Sequence, residues 1–290
     1  MHGRAGWWIG WVGAALAAVG CQGPAPTANY GNQGPRGADA DRSRQVTTST
    51  YEQRTVGELV AERPARARVF ERFGIDYCCG GGLALEEAAA QQKADLKAVA
   101  ASLRALDAQP RTAAERNWLE APLAELIGNI LDTHHAYLRR ELPRLTGLAE
   151  KVEGVHAERH PELRRVRELH AEVREELEGH MLKEERILFP IIRAMEATGS
   201  TEAAFCGSVQ HPIRVMEMEH TSAGEALDEF RKLTNEYEPP ADACGSYRAL
   251  LAGLAELEAD LHAHIHKENN VLFPRAIALE QQCAAREQAG

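Results

Sequence analysis

The segment His180-Met-Leu-Lys-Glu184-Glu-Arg-Ile-Leu-Phe189-Pro190 returns 84 residues later as His264-Ile-His-Lys-Glu268-Asn-Asn-Val-Leu-Phe273-Pro274. In both copies a His precedes a Glu by four residues, and Phe-Pro follows the Glu at five and six. Residues four apart share one helix face, about one turn from each other. Each copy is also preceded by a further histidine on a separate apolar-periodic stretch. His135 lies 45 residues before His180, and His220 lies 44 before His264. Two such helices, with one His from each of two more, collect four imidazoles and two carboxylates. Each carboxylate can bridge a pair of metals, and a nitrogen-rich set of this kind suits a di-iron centre inside a four-helix bundle.

A single HxxxE is weak evidence, because a solvated helix face uses the same spacing for an i,i+4 pair. Two copies with matched Phe-Pro endings and matched upstream histidines are harder to obtain by chance. A purely structural duplicated hairpin would have to bury four His and two Glu, and an unpaired buried carboxylate costs several kcal/mol. The zinc-protease motif HExxH is absent from the sequence. Ferritin-like bundles use Glu-x-x-His at i,i+3, whereas here the order is reversed and the spacing is four. His262 and His266 fall on a different face from His264 and read as supporting or solvated residues. His134 and His135 are not separated by periodicity, since either can follow Leu131 onto the inner face. His156, His160, His170 and His211 have no partner at metal spacing.

The chain of 290 residues carries 33 Lys+Arg against 43 Asp+Glu, a formal charge of −10. That balance disfavours nucleic acid as a partner. Aromatics are sparse, and alternating strand-like runs bounded by turns are nearly absent, so an all-α protein is expected. Residues 1–21 differ from the rest. Arg4 precedes an apolar run from Trp7 to Val19, too short for a comfortable membrane span, and Ala18-Val-Gly20 precedes Cys21. This pattern is similar to a bacterial lipoprotein signal, with Cys21 as the lipidated residue, although Ala18 stands where Leu is more usual. The alternatives are an uncleaved anchor or a start further along, for example at Val46. Residues 22–50, rich in Gly, Pro, Ser, Thr, Asn and Gln, are expected to form a disordered tether.

Residues 51–110 read as a small helical domain. Thr55-Val-Gly-Glu58 has the capping-box pattern, a second helix is expected near Pro64, and Gly74 ends it. Ile75-Asp-Tyr-Cys78-Cys79-Gly-Gly-Gly82 follows, with a new helix near Leu83 and another from about Asp95 to Leu106. Adjacent cysteines seldom form a structural disulfide. Thiols just ahead of a helix N-terminus are expected to have lowered pKa values, which makes the pair a candidate reactive or metal-transferring site. Cys206, Cys244 and Cys283 have no such setting.

Phe73-Gly-Ile-Asp-Tyr-Cys-Cys-Gly-Gly81 resembles the signature of the ScdA-type N-terminal domain. Ala121-Pro-Leu-Ala-Glu125, His180-Met-Leu-Lys-Glu-Glu185, Val215-Met-Glu-Met-Glu-His220 and Glu268-Asn-Asn-Val-Leu-Phe-Pro274 resemble the hemerythrin-like domain of the same proteins, the iron–sulfur cluster repair di-iron (RIC) family. The resemblance covers about residues 52–280. It implies a hemerythrin-like up-and-down four-helix bundle over 118–280, with a small N-terminal helical domain and a tail at 281–290. It implies two iron ions per chain on His135, His180, Glu184, His220, His264 and Glu268, which chooses His135 over His134. It also implies that Cys78 and Cys79 serve iron transfer or redox, with Glu217 and Glu219 as supporting or iron-path carboxylates. The function it implies is repair of iron–sulfur clusters damaged by nitrosative or oxidative stress, through donation of iron to the damaged proteins. The alternatives are a module that binds or senses dioxygen or nitric oxide, and a nitric oxide reductase. Members are expected in the cytoplasm, whereas residues 1–21 point to the cell envelope, with the N-terminal anchor as the one membrane contact.

The arrangement expected is four helices at about 121–143, 161–196, 212–234 and 244–279. Two histidine nitrogens serve each iron, and Glu184 and Glu268 bridge the pair. Neutral imidazoles with two carboxylates leave a net positive core, which favours an oxo or hydroxo bridge and room for a small ligand.

Overall fold

The structure, a computed structural model, describes residues 51–111, 115–202 and 207–289. Residues 1–50, with Cys21, and Cys206 lie outside the described residues. Among the described residues no helix is long and apolar enough to cross a membrane, and all the regular elements are helical.

Thr55 caps α1 (Val56–Glu62): its hydroxyl accepts from the Glu58 amide, while the Glu58 side chain returns to the Thr55 amide. α2 (Ala67–Arg72), α3 (Leu85–Gln91) and α4 (Leu96–Asp107) follow. Their apolar faces close on Leu59, Phe70, Leu85, Val99 and Leu103, each without exposed surface. The buried Arg66 guanidinium binds Asp107 at 2.7 Å and Glu62 at 2.5 Å, which ties the second turn of the domain to its last helix.

Four long rods form the bundle. The first is α5 (Leu123–Ile130), a π-turn at Leu131–His135, and α6 (Ala136–His156). The second is α7 (Glu162–Lys183), a π-turn at Glu184–Leu188, and α8 (Phe189–Thr198). α9 (Gln210–Leu233) is the third. The fourth is α10 (Gly245–Lys267), a π-turn at Glu268–Leu272, and α11 (Phe273–Ala289). Each rod packs against its predecessor in the chain, and the fourth closes on the first.

Two ends differ from expectation. The first rod continues through Pro143 to His156 instead of stopping near 143. An interior proline costs roughly 3 kcal/mol, but Leu138, Leu142, Leu145, Ala149 and Val152 form one buried stripe across it, and each large aliphatic side chain returns about 1.5–3 kcal/mol. The fourth rod runs to Ala289, so 281–289 is helix where a tail was expected. Cys283 is fully buried there, and Glu280 accepts from the Val209 amide at 2.8 Å, at the start of α9.

The core has two apolar clusters. One holds Leu126, Ile130, Phe189, Ile192, Met216 and Phe273; the other holds Leu138, Leu142, Leu177, Leu227, Leu257 and Leu261. Along each rod the polar residues of interest lie between these two sets, so the polar layer is walled by hydrocarbon above and below.

Candidate metal centre

The spacing of the repeated motif now has a structural meaning. Glu184 and Glu268 are each the first residue of a π-turn. A π-turn bonds i to i+5, so the residue five after the Glu is brought back under it. That residue is Phe189 in one copy and Phe273 in the other. Phe189 stacks on His135 with ring centroids 5.8 Å apart, and Phe273 lies parallel to His220 at 5.9 Å and 3°. The next residue is proline in both copies, where the ladder returns to α-spacing and a missing N–H is tolerated. The Phe-Pro landmark therefore marks the end of a π-turn, which sequence periodicity alone did not disclose.

His135, His180, His220, His264, Glu184 and Glu268 converge, with relative exposures of 0–3%. They fall into two groups. His135, His264, Glu184 and Glu268 each offer one atom within 4.8 Å of the others, and so do His180, His220, Glu184 and Glu268. Both carboxylates belong to both groups. Glu184 lies 3.3 Å from His135 Nε2 and 3.4 Å from His180 Nε2. Glu268 lies 3.1 Å from His220 Nε2 and 3.1 Å from His264 Nε2.

These residues fit a pair of metal ions. His135 Nε2, both oxygens of Glu184 and Oε2 of Glu268 are buried without a hydrogen-bond partner, a costly state unless a cation completes it. The imidazole and carboxylate mixture suits iron among other metals. Burial opposes charge on Glu268, but His264 and His220 hold its carboxyl well below the usual range. Burial also pulls His180 down, but Glu184 and Glu219 hold it up to about 10. Metal binding at this imidazole therefore displaces a proton.

Three of the four imidazoles are braced at Nδ1. Glu185 stands 2.6 Å from His135 and is itself held by Arg139 at 2.5 and 2.6 Å. Glu219 stands 2.8 Å from His180 and pairs with Lys183. The Glu219 carboxyl is lowered to about 2 by the His180 hydrogen bond and by Lys183, against its partial burial. Asn269 Oδ1 lies 2.7 Å from His220. His264 Nδ1 is buried with no partner. Of the two carboxylates expected as supporting or iron-path groups, Glu219 lies against His180, while Glu217 is exposed and is not brought to these residues. Glu185 and Asn269 were missed; the signal available was that each directly follows a Glu of the HxxxE motif.

The structure brings His135, not His134, into the groups able to hold a metal. His134 is also buried, but its Nδ1 faces Asp260 at 2.9 Å and its Nε2 faces Lys267 Nζ at 2.7 Å. His262 is half-buried, 3.9 Å from Glu258. His266 corrects the expectation of a solvated or metal-supporting residue. It is buried, lowered to about 4 by desolvation, and lies 3.2 Å from the Tyr77 carbonyl oxygen under the cysteine loop.

That loop docks on the fourth rod. Asn270 Nδ2 donates to the Cys78 carbonyl at 2.8 Å, and its side chain lies between Gly57 and Gly81. A Cβ on Gly81 would stand 2.0 Å from Asn270 Oδ1, and one on Gly57 2.6 Å. Both glycines thus serve close approach. Three consecutive residues of one π-turn therefore act in three directions: Glu268 toward the metals, Asn269 toward His220, and Asn270 toward the cysteines.

Asp76 organises the thiols. Its carboxylate accepts from the amides of Cys78, Cys79 and Gly80 at 2.9, 3.0 and 2.9 Å and from Cys78 Sγ at 3.2 Å. Asp76, Cys78 and Cys79 form a third group able to hold a metal. The expectation that a helix end lowers both thiols is not met, because α3 begins only at Leu85. Instead the thiols divide. The hydrogen bond to Cys79, burial and Asp76 push Cys78 up, and the same thiol contact holds Cys79 down against the partial desolvation of its sulfur. Cys78 packs on Ala223 and Ile265. Those two residues also line a narrow cavity of about 20 Å³ beside His180, His220 and His264. On the solvent side Cys78 and Cys79 line a groove of about 510 Å³ with Asp76, Asp228, Glu258 and His262.

Residues 126–276 match the family described as Hemerythrin HHE cation binding domain, and residues 52–107 match ScdA_N, described as a domain of unknown function. The chain is 43% identical over 228 residues to the iron-sulfur cluster repair protein YtfE of Edwardsiella ictaluri, covering 79% of this chain and 98% of that relative. It is 41% identical over 227 residues to the protein of the same name from Musicola paradisiaca, covering 78% and 97%. With that of Escherichia coli O157:H7 it shares 41% over 230 residues, covering 79% and 99%.

Proposed function

The chain belongs to the iron–sulfur cluster repair proteins that join a ScdA-type domain to a hemerythrin-like domain, and on that premise we propose that it repairs damaged clusters by donating iron from a two-iron centre. The observation that carries this reading is the pair of fully buried carboxylates, Glu184 and Glu268, each shared between two groups of donors. Iron bound there supplies a change between ferric and ferrous states, and with it a change in how tightly it is held.

The residues have distinct tasks in this reading. His135, His180, His220 and His264 present Nε2 to the centre, while Glu185, Glu219 and Asn269 fix ring orientation at Nδ1, which also fixes the tautomer. The apolar clusters on both sides exclude water from the layer. Ala223 and Ile265 stand between the centre's cavity and Cys78. Cys79, the thiol held low, is the receiving group, and Asp76 keeps the loop backbone in shape around it. Damaged iron–sulfur proteins are the targets, under nitrosative or oxidative stress.

The test is anaerobic incubation of the protein loaded with ⁵⁷Fe and an iron–sulfur dehydratase whose cluster has been damaged. Recovered activity with ⁵⁷Fe in the rebuilt cluster is expected. Recovery with no label transferred, or equal recovery with free ferrous ion at the same concentration, rejects donation. A second reading, binding or reduction of nitric oxide, is favoured by the small cavity at His180, His220 and His264, which admits about one water-sized molecule. Turnover of nitric oxide with an electron donor, without loss of iron, selects it. Placement turns on residues 1–21: an acylated peptide beginning at Cys21 puts the protein on the envelope, and an unmodified start near Val46 puts it in the cytoplasm.

A further inference from the structure

The bundle is a duplication, and its supporting contacts can be compared copy by copy. The residue after each shared Glu braces a histidine of the preceding rod. Glu185 does so for His135, and Asn269 does so for His220. The residue before each of those two histidines then faces the histidine of an HxxxE motif. In one half this is Glu219, 2.8 Å from His180 Nδ1. In the other half the equivalent residue is His134, and it does not brace its partner. Its ring lies flat against His264, with centroids 5.1 Å apart and planes 3° apart. Both of its nitrogens are engaged elsewhere, by Asp260 and Lys267. His264 Nδ1 is left buried with no protein acceptor.

The duplication therefore differs at two supporting positions: Glu185 corresponds to Asn269, and both accept from a histidine, whereas Glu219 corresponds to His134, which only stacks on its partner. His180 and His220 are both braced. His135 is braced and His264 is not. An imidazole whose second nitrogen lacks an acceptor is a less basic and less firmly oriented ligand, and loss of such a partner lowers metal affinity about 10–100-fold.

We infer that the two metal positions are unequal, and that the iron held by His135 and His264 is the one given up first, because His134 stands where the other half has Glu219. The inference rests on the donation reading only for its biological use; the inequality itself is a property of the free protein. Release exchanges the His135, His264 and carboxylate bonds to ferrous iron for bonds to an incoming chelating ligand, with no electron gained or lost.

The full chain, loaded anaerobically with ferrous iron, is mixed with excess bipyridyl-type chelator, and chelate formation is followed by absorbance. Two phases of equal amplitude are expected, about 10–100-fold apart in rate. Crystals of protein quenched after the first phase should show anomalous scattering at the iron edge between His180 and His220. Reciprocal exchange of the distinguishing residue provides the second arm. Glu219→His should speed the slow phase toward the fast one, and His134→Glu should slow the fast phase toward the slow one. Either exchange suffices if the other variant does not fold by circular dichroism. A single rate for both irons, residual iron at His135 and His264, or folded exchange variants with unaltered rates overturns the inference. No recipient protein takes part, so biphasic release together with a failed repair assay rejects donation while leaving the inequality in place.

Discussion

The metal layer and the cysteine loop stand back to back across Ala223 and Ile265, and they are built in opposite ways. The layer takes every donor from a long helix, buries each to 0–3% exposure and braces three of four imidazoles from neighbouring rods. The loop takes its shape from one carboxylate, Asp76, and one inserted amide, Asn270, and it leaves Cys79 exposed. The first arrangement holds metal away from water. The second presents Cys79 to a groove of about 510 Å³ on the solvent side. The difference gives the proposed storage and hand-over separate structural supports, and substitutions should separate them.

The largest effect is expected at the shared carboxylates. Glu268→Leu removes a donor from both groups at once, so metal affinity should fall by more than about 100-fold, beyond the loss seen for a supporting contact. Iron content per chain checks it, and His262→Ala, outside the layer, should retain its iron. If Glu268→Leu lost only half its iron, the carboxylate would not be shared.

The converse substitution sharpens the contrast. Cys78→Ser with Cys79→Ser should leave the iron content intact and abolish most of the repair of a damaged cluster. Loss of iron on purification of the double variant would make the thiols part of the storage site.

An intermediate effect is expected with pH. Burial lowers His180, yet Glu184 and Glu219 raise it to about 10 in the metal-free protein, against about 6.5 unfolded. A value raised by folding contributes stability that is complete below about 6.5 and is lost as pH rises through about 10. The Tm of metal-free protein should therefore fall between pH 7 and 10, by about 2–4 °C for each kcal/mol lost. The loaded protein should fall less, because its imidazole gives up the proton on binding. Parallel curves for the two forms would contradict this account.

The smallest effect concerns the seam between the regions. Gly81→Ala places a Cβ 2.0 Å from Asn270 Oδ1, a misfit of about 1–3 kcal/mol. Faster amide exchange in the cysteine loop is expected, at unchanged iron content. Equal exchange in both proteins would mean that the seam yields without cost.

Much of this was legible in the sequence, for identifiable reasons. The rods, the Thr55 capping box and the doubled HxxxE follow from local spacing, since residues four apart on a helix meet whatever surrounds them. The residues carried by the family resemblance extended this to His135 and to the cysteine pair. Local spacing did not separate His134 from His135, because neighbours on a helix differ by 100° and a π-turn shifts the register between them. Nor did it show Glu185, Asn269 or Asn270, whose roles exist only where one rod meets another. The first rod, expected to end near 143, continues to His156 because the apolar stripe that carries it through Pro143 is buried only by other helices. The cysteines were set beside a helix end by sequence order, yet their unequal thiols arise from Asp76, from each other and from the wall of Ala223 and Ile265. The chain by itself determined which donors exist and on which helices, because that is a matter of period and residue type. The tertiary structure decided which nitrogen faces the centre and which is braced, because a contact between rods depends on the packing of both.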